Sequence, residues 1–103
     1  MSNENLENTE TEVQAENEQE KESWQVYLLE CLDGSYYTGI TNNIKKRMRT
    51  HKSGRGSKYV TSHGFGQLIA SKKYDNQSEA LKAEYQVKQL SKNKKLLFFD
   101  LTN

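Results

Sequence analysis

Trp24-Gln25-Val26-Tyr27-Leu28-Leu29-Glu30-Cys31-Leu32-Asp33-Gly34-Ser35-Tyr36-Tyr37-Thr38-Gly39-Ile40-Thr41 is the stretch that decides the fold. Trp24–Leu32 reads as a strand. Val26 and Leu28 are apolar on one face, and Tyr27, Leu29 and Cys31 fill the other, so the strand is expected to be covered on both sides. Asp33-Gly34 is a hairpin signal, and Ser35–Thr41 is the partner strand. Two registers are open. A two-residue turn pairs Leu32 with Ser35 and sends Tyr27 and Tyr37 to opposite faces. A three-residue loop with a left-handed Gly34 pairs Cys31 with Ser35, sets Leu29 opposite Tyr37, and puts both tyrosines on one face.

Beyond the hairpin, Thr41 or Asn42 can cap a helix from about Asn43 to Lys52. Its apolar stripe holds Ile44 and Met48 and, by spacing, Arg47 and His51. Residues 53–66 are glycine-rich and basic and read as a mobile cationic loop. Gln67–Tyr74 is a third strand. Asn76 with Glu79 three residues on opens a second helix to about Leu90, with Ala80, Leu81, Ala83, Val87 and Leu90 on its inward arc and Glu84 inside that arc. Ser91–Asn103 reads as a basic turn followed by an apolar end that packs back on the sheet. The class is α+β, in the order β-β-α-β-α plus a C-terminal element.

Composition narrows the function. The 103 residues carry a net charge of only +1, but residues 1–22 hold eight Glu and one Lys, while residues 23–103 hold fourteen Lys/Arg and six acids. The acidic segment has too few apolar side chains to offset its ordering entropy and is expected to be a disordered tail, leaving residues 23–103 as one small domain. No apolar run approaches the roughly 20 residues of a membrane span. The acidic N-terminus has the wrong sign for a secretory or mitochondrial leader. One cysteine, Cys31, makes an internal disulfide impossible, so a reducing, cytoplasmic location is the default expectation. Between Asp33 and Asp75 lie nine Lys/Arg and no acid. With Gly and Tyr interleaved, that run is better explained by phosphate contacts than by a solvated face, and it makes nucleic acid the first partner to consider.

Three charged or titratable residues break the helical patterning. Arg47 and His51 are neighbours on the inward stripe of the first helix, and Glu84 lies on the inward arc of the second. An Arg47–Glu84 salt bridge and a functional site are both compatible with that placement, because charges on buried faces need either a partner or a role.

Val26-Tyr27-Leu28-Leu29, then Tyr37-Thr38-Gly39, then Asn43 to His51, resemble the core of the GIY-YIG endonucleases. Gly54-Arg55-Gly56-Ser57-Lys58-Tyr59 and Glu84 to Lys92 resemble its small stand-alone, YhbQ-like branch. The resemblance spans Trp24 to about Lys95. The first triplet reads Gln25-Val26-Tyr27, without its glycine, and the second reads Tyr-Thr-Gly; both keep the tyrosine. The resemblance implies a three-stranded antiparallel sheet flanked by helices and a metal-dependent DNA endonuclease. It implies Tyr27, Tyr37, Arg47 and His51 as catalytic residues and Glu84 as the anchor for one Mg2+ or Mn2+ ion. DNA would then be held by Lys45, Lys46, Arg49, Lys52, Arg55, Lys58 and Tyr59. The bulged hairpin register is expected, since only it lets both tyrosines reach one phosphate. The rival functions are a nucleic-acid-binding protein without turnover, and a protein-interaction adaptor that recruits a partner through the acidic tail. The oligomeric state is not legible.

Overall fold

The computed structural model describes residues 23–101, so the expectation of a disordered tail over residues 1–22 lies outside the described residues. The elements are β1 (Trp24–Cys31), β2 (Tyr36–Thr41), α1 (Ile44–Lys52), α2 (Lys58–His63), β3 (Phe65–Tyr74), α3 (Gln77–Lys88) and α4 (Lys92–Phe98). The three strands form one antiparallel sheet in the order β2-β1-β3. The class is α+β, as the patterning requires.

The hairpin adopts the bulged register. Cys31 N donates to Ser35 O at 2.8 Å and Gly34 N to Cys31 O at 3.0 Å. Gly34 takes φ +87°, a conformation that only glycine enters at no steric cost. Leu29 faces Tyr37 and Tyr27 faces Gly39, so both tyrosines share one face.

Central strand β1 carries two cores. Val26 and Leu28 pack with Ala80, Ala83, Val87 and Phe99, which places α3 and the C-terminal segment on one face. Tyr27, Leu29 and Cys31 pack with Val60, Ile44, Met48 and Phe65, which places α1 and α2 on the other. Val26, Leu28 and Leu29 are fully buried, a contribution of about 1.5–3 kcal/mol each.

Five local expectations need correction. The loop over 53–66 contains a helix, α2, capped by the Ser57 side chain, which accepts from Val60 N at 3.1 Å. The cap of α1 is Asn43, accepting from Lys46 N at 3.1 Å, because Thr41 Oγ1 is engaged by Asn43 N. Leu81 is exposed rather than inward; the small residues Ala80 and Ala83 bring α3 close to the sheet and narrow its buried stripe. The basic turn after Ser91 is the first turn of α4, with Ser91 accepting from Lys94 N. Strand β3 also begins earlier than expected, at Phe65, because its pairing with β1 continues through two register shifts to Cys31.

Candidate active site

Tyr27 is 0 % exposed, so its hydroxyl needs partners inside the protein. Both come from α1, one turn apart. His51 Nε2 lies 2.8 Å from Tyr27 Oη, and Arg47 Nε donates to the same oxygen at 3.4 Å. This is why a helix with an apolar stripe of Ile44 and Met48 places Arg47 and His51 alongside them: they meet the phenol that β1 presents. Tyr37, two residues before Gly39 on β2, completes the cluster. Its ring centroid lies 6.3 Å from Tyr27 and 5.5 Å from His51.

Two glycines leave room for this arrangement. A Cβ at Gly39 would stand 2.5 Å from Tyr27 Oη, so the phenol lies directly across the β2 backbone. A Cβ at Gly56 would likewise collide with His51 Nδ1. That nitrogen is buried without a hydrogen-bond partner, sealed by the loop ahead of α2.

The electrostatics keep both groups neutral. Burial pushes the Tyr27 hydroxyl up to about 12, opposed mainly by the hydrogen bond from Arg47. Burial, helped by the Arg47 charge, pushes His51 down to about 4. Arg47 is held more firmly charged, first by its bond to Tyr27.

The His51 shift makes a stability prediction. Above pH about 6.5 neither folded nor unfolded chain holds the proton, so the shift has no effect there. As pH falls below about 6.5, the unfolded chain takes up a proton that the folded chain refuses until about pH 4. Stability is therefore expected to fall through this window by about 3 kcal/mol more in the wild type than in His51→Gln. Urea unfolding at several pH values checks it; parallel pH profiles for the two proteins would refute it.

Glu84 lies on α3, which packs on the other side of the sheet. It is part-buried, and its charge is among the causes that raise Tyr27. Its ion-pair partner is Lys88, at 3.3 Å. Among the described residues no Arg47–Glu84 ion pair forms, because α1 and α3 cover opposite faces. No group of three or more His, Cys, Asp or Glu gathers among the described residues. Glu84 is thus a single carboxylate, a donor set that suits a Mg2+ ion completed by phosphate oxygens and water.

Lys45, Lys46, Arg49, Lys52, Arg55, Lys58 and Tyr59 are all exposed. Lys45, Arg49 and Lys52 line a groove with Ile44, Met48 and Leu68. Lys46, Arg49 and Arg55 border a second hollow, and Arg55 and Lys58 a third. These hollows make a cationic band from α1 into the loop beyond it.

The sequence left Asp33 and His63 unassigned. Asp33 Oδ2 bonds to His63 Nδ1. The His63 ring stacks on Tyr59 at 4.1 Å, and Tyr59 on Tyr37 at 5.8 Å. The available signal was the four-residue spacing of Tyr59 and His63, one helical turn, which a loop assignment hides.

A buried tyrosine hydroxyl bridging arginine and histidine across a glycine of the edge strand, on a β-β-α-α-β-α-α chain, defines the class. A model of the GIY-YIG catalytic domain matches residues 23–96, and the chain belongs to that family. The chain is 46% identical over 70 residues to UPF0213 protein BH0048 of Halalkalibacterium halodurans, covering 68% of this chain and 74% of that protein. It is 45% identical over 71 residues to UPF0213 protein OB0043 of Oceanobacillus iheyensis, covering 69% and 83%. The solution NMR structure of the UPF0213 protein BH0048 from Bacillus halodurans is 42% identical, covers 74% of this chain and 81% of that one, and superposes with a TM-score of 0.47. No helix among the described residues is long and apolar enough to cross a membrane.

Proposed function

We propose that residues 23–103 form a metal-dependent DNA endonuclease domain that hydrolyses phosphodiester bonds. The observation that carries this reading is the Tyr27 hydroxyl held between His51 Nε2 and Arg47 Nε, at the edge of an exposed cationic band.

Each residue has work suited to its chemistry. Neutral His51, with Nε2 unprotonated, accepts the Tyr27 proton while Tyr27 Oη, enclosed in this structure, accepts one from the attacking water once bound DNA has opened access to it. A relay of this kind avoids a free phenolate, which a hydroxyl pushed up to about 12 does not supply at neutral pH. Arg47 stabilises negative charge growing on Tyr27 and presents the rest of its guanidinium to the phosphate. Tyr37 packs against the Tyr27 and His51 rings and fixes their positions. Glu84 would hold a single Mg2+ or Mn2+, which when bound supplies Lewis-acid stabilisation of the phosphate and leaving oxygen. With one protein carboxylate, ion binding is expected to be weak until nucleic acid contributes oxygens.

Incubation with duplex, single-stranded and branched DNA, with and without Mg2+ or Mn2+, tests the reading. Metal-dependent cleavage supports it, and none on any substrate sinks it. The Glu84–Lys88 ion pair and the lack of a multi-carboxylate cluster among the described residues favour a second reading, a nucleic-acid-binding domain without turnover. The same assay separates the two.

Reversal of Lys45, Lys46 and Arg55 to Glu is expected to weaken DNA binding uniformly across sequences. It should also reduce the slope of log affinity against log salt by roughly 0.9 for each phosphate no longer neutralised, or about 3 for three such phosphates. Titrations at several salt concentrations check this; an unchanged slope would place the DNA elsewhere.

A further inference from the structure

Helix α2 presents two different exposed surfaces beside the candidate site. Lys58 and Thr61 join Arg55 and Ser57 around a hollow of about 370 Å³. Tyr59 and His63, one turn apart, instead continue a series of rings that leads outward from His51. Tyr37 lies 5.5 Å from His51, Tyr59 stacks on Tyr37 with their planes 30° apart, and His63 stacks on Tyr59 at 23°. The outer end is open to solvent: Tyr59 is 39% exposed and the His63 side chain 36%.

This end of the series is pinned. His63 Nδ1 is bonded to Asp33, and Asp33 also accepts from Ser35 N at 3.0 Å and Ser35 Oγ at 2.6 Å. Those bonds hold the carboxylate well below its usual range. The acid beside this surface is therefore engaged on both oxygens, by Ser35 in the hairpin and by His63, while its side chain stays 47% exposed. Leu32, 78% exposed, packs against Gly64 next to His63 and extends the apolar surface.

Phosphate binding needs cations and makes no use of exposed rings. A duplex hides the faces of its bases, whereas an unpaired strand offers them for stacking. We infer that α2 binds an unpaired strand of DNA, with bases against the Tyr59–His63 surface and phosphates in the Arg55–Lys58 hollow. This inference rests on the nuclease reading above and narrows its substrate class to single-stranded or locally unpaired DNA.

Binding is measured by fluorescence anisotropy in EDTA, so that turnover plays no part. The probes are a 15-nucleotide oligo-dT, an abasic deoxyribose-phosphate strand of the same length, and a 15-base-pair duplex. Oligo-dT is expected to bind roughly tenfold or more tightly than the abasic strand, which carries the same charge, and more tightly than the duplex. Tyr59→Ala and His63→Ala should lower oligo-dT affinity to the abasic level and leave abasic affinity unchanged, while Tyr59→Phe retains the preference. Equal affinity for oligo-dT and the abasic strand, or tighter binding of duplex, overturns the inference; that comparison uses the wild-type chain and needs no variant to fold. Duplex cleavage without a single-strand preference leaves the nuclease standing and removes this inference. Single-strand selectivity without cleavage of any DNA does the reverse.

Discussion

Replacing Glu84 with Gln is expected to lower cleavage by several orders of magnitude while leaving the fold and DNA affinity nearly unchanged. The substitution keeps size and most hydrogen bonding but removes the charge that would hold Mg2+. Affinity should stay level or rise slightly, because a negative charge leaves a surface facing phosphates. The structure sharpens the stability side. Glu84 pairs with Lys88, half-exposed and one turn away, so losing the pair should cost no more than about 0.5 kcal/mol. Had Glu84 been buried against Arg47, the cost would be roughly 3–5 kcal/mol, and inactivity would be ambiguous. Arg47→Ala should likewise lose far more turnover than affinity, since one of many phosphate contacts contributes little to binding. Thermal melts, anisotropy and cleavage on the same variants decide the matter. Folded variants that bind and do not cut support the nuclease; folded variants that still cut exclude these two residues from the chemistry.

The hairpin was legible because three constraints coincide in it: a turn signal, a strand apolar on both faces, and two tyrosines useful only on one side. Residues 58–63 were not legible as a helix. Four glycines between 53 and 66 argue for loop, and a six-residue helix is too short for periodicity to speak. Its cues are its ends, Ser57 as cap and Gly64 at φ +85°, and Val60, buried against Tyr27 and Leu29. Missing the helix also hid the alignment of Tyr59 with His63. The Arg47–Glu84 alternative failed for a different reason. Helical spacing says that a residue faces inward, but in a sheet covered on both sides there are two interiors. Spacing does not say which one. Tyr27, Tyr37, Arg47 and His51 are gathered on one face, whereas Glu84 belongs to an element packed on the other.

Gly39→Ala is expected to damage both stability and turnover, through a single clash. The new Cβ would lie 2.5 Å from Tyr27 Oη and 2.7 Å from Cζ, distances that no packed carbon tolerates. Tyr27 cannot swing away, because its ring is fully buried beneath Val60 and Leu29 and its oxygen is tied to His51 and Arg47. Either the ring or strand β2 must shift. Overpacking of this kind costs about 1–3 kcal/mol, and a displacement of about 1 Å in a reacting group can cost roughly a hundredfold in rate. Tyr27→Phe alone should also destabilise, by about 1–3 kcal/mol, since it leaves His51 with two unsatisfied buried nitrogens. The two changes should not add. Removing the hydroxyl takes away the atom nearest the new methyl, so in the double variant the overpacking is partly relieved. The double variant is therefore expected to be more stable than the sum of the single losses by at least about 0.5 kcal/mol, the margin within which independent sites normally add. Activity should not return with stability, because the hydroxyl that on the proposed mechanism exchanges protons with His51 is absent from it. Urea unfolding of the four proteins measures the coupling. Strict additivity would mean that Gly39 is not there to make room for the tyrosine, and recovery of cleavage in the double variant would remove Tyr27 from the proton path.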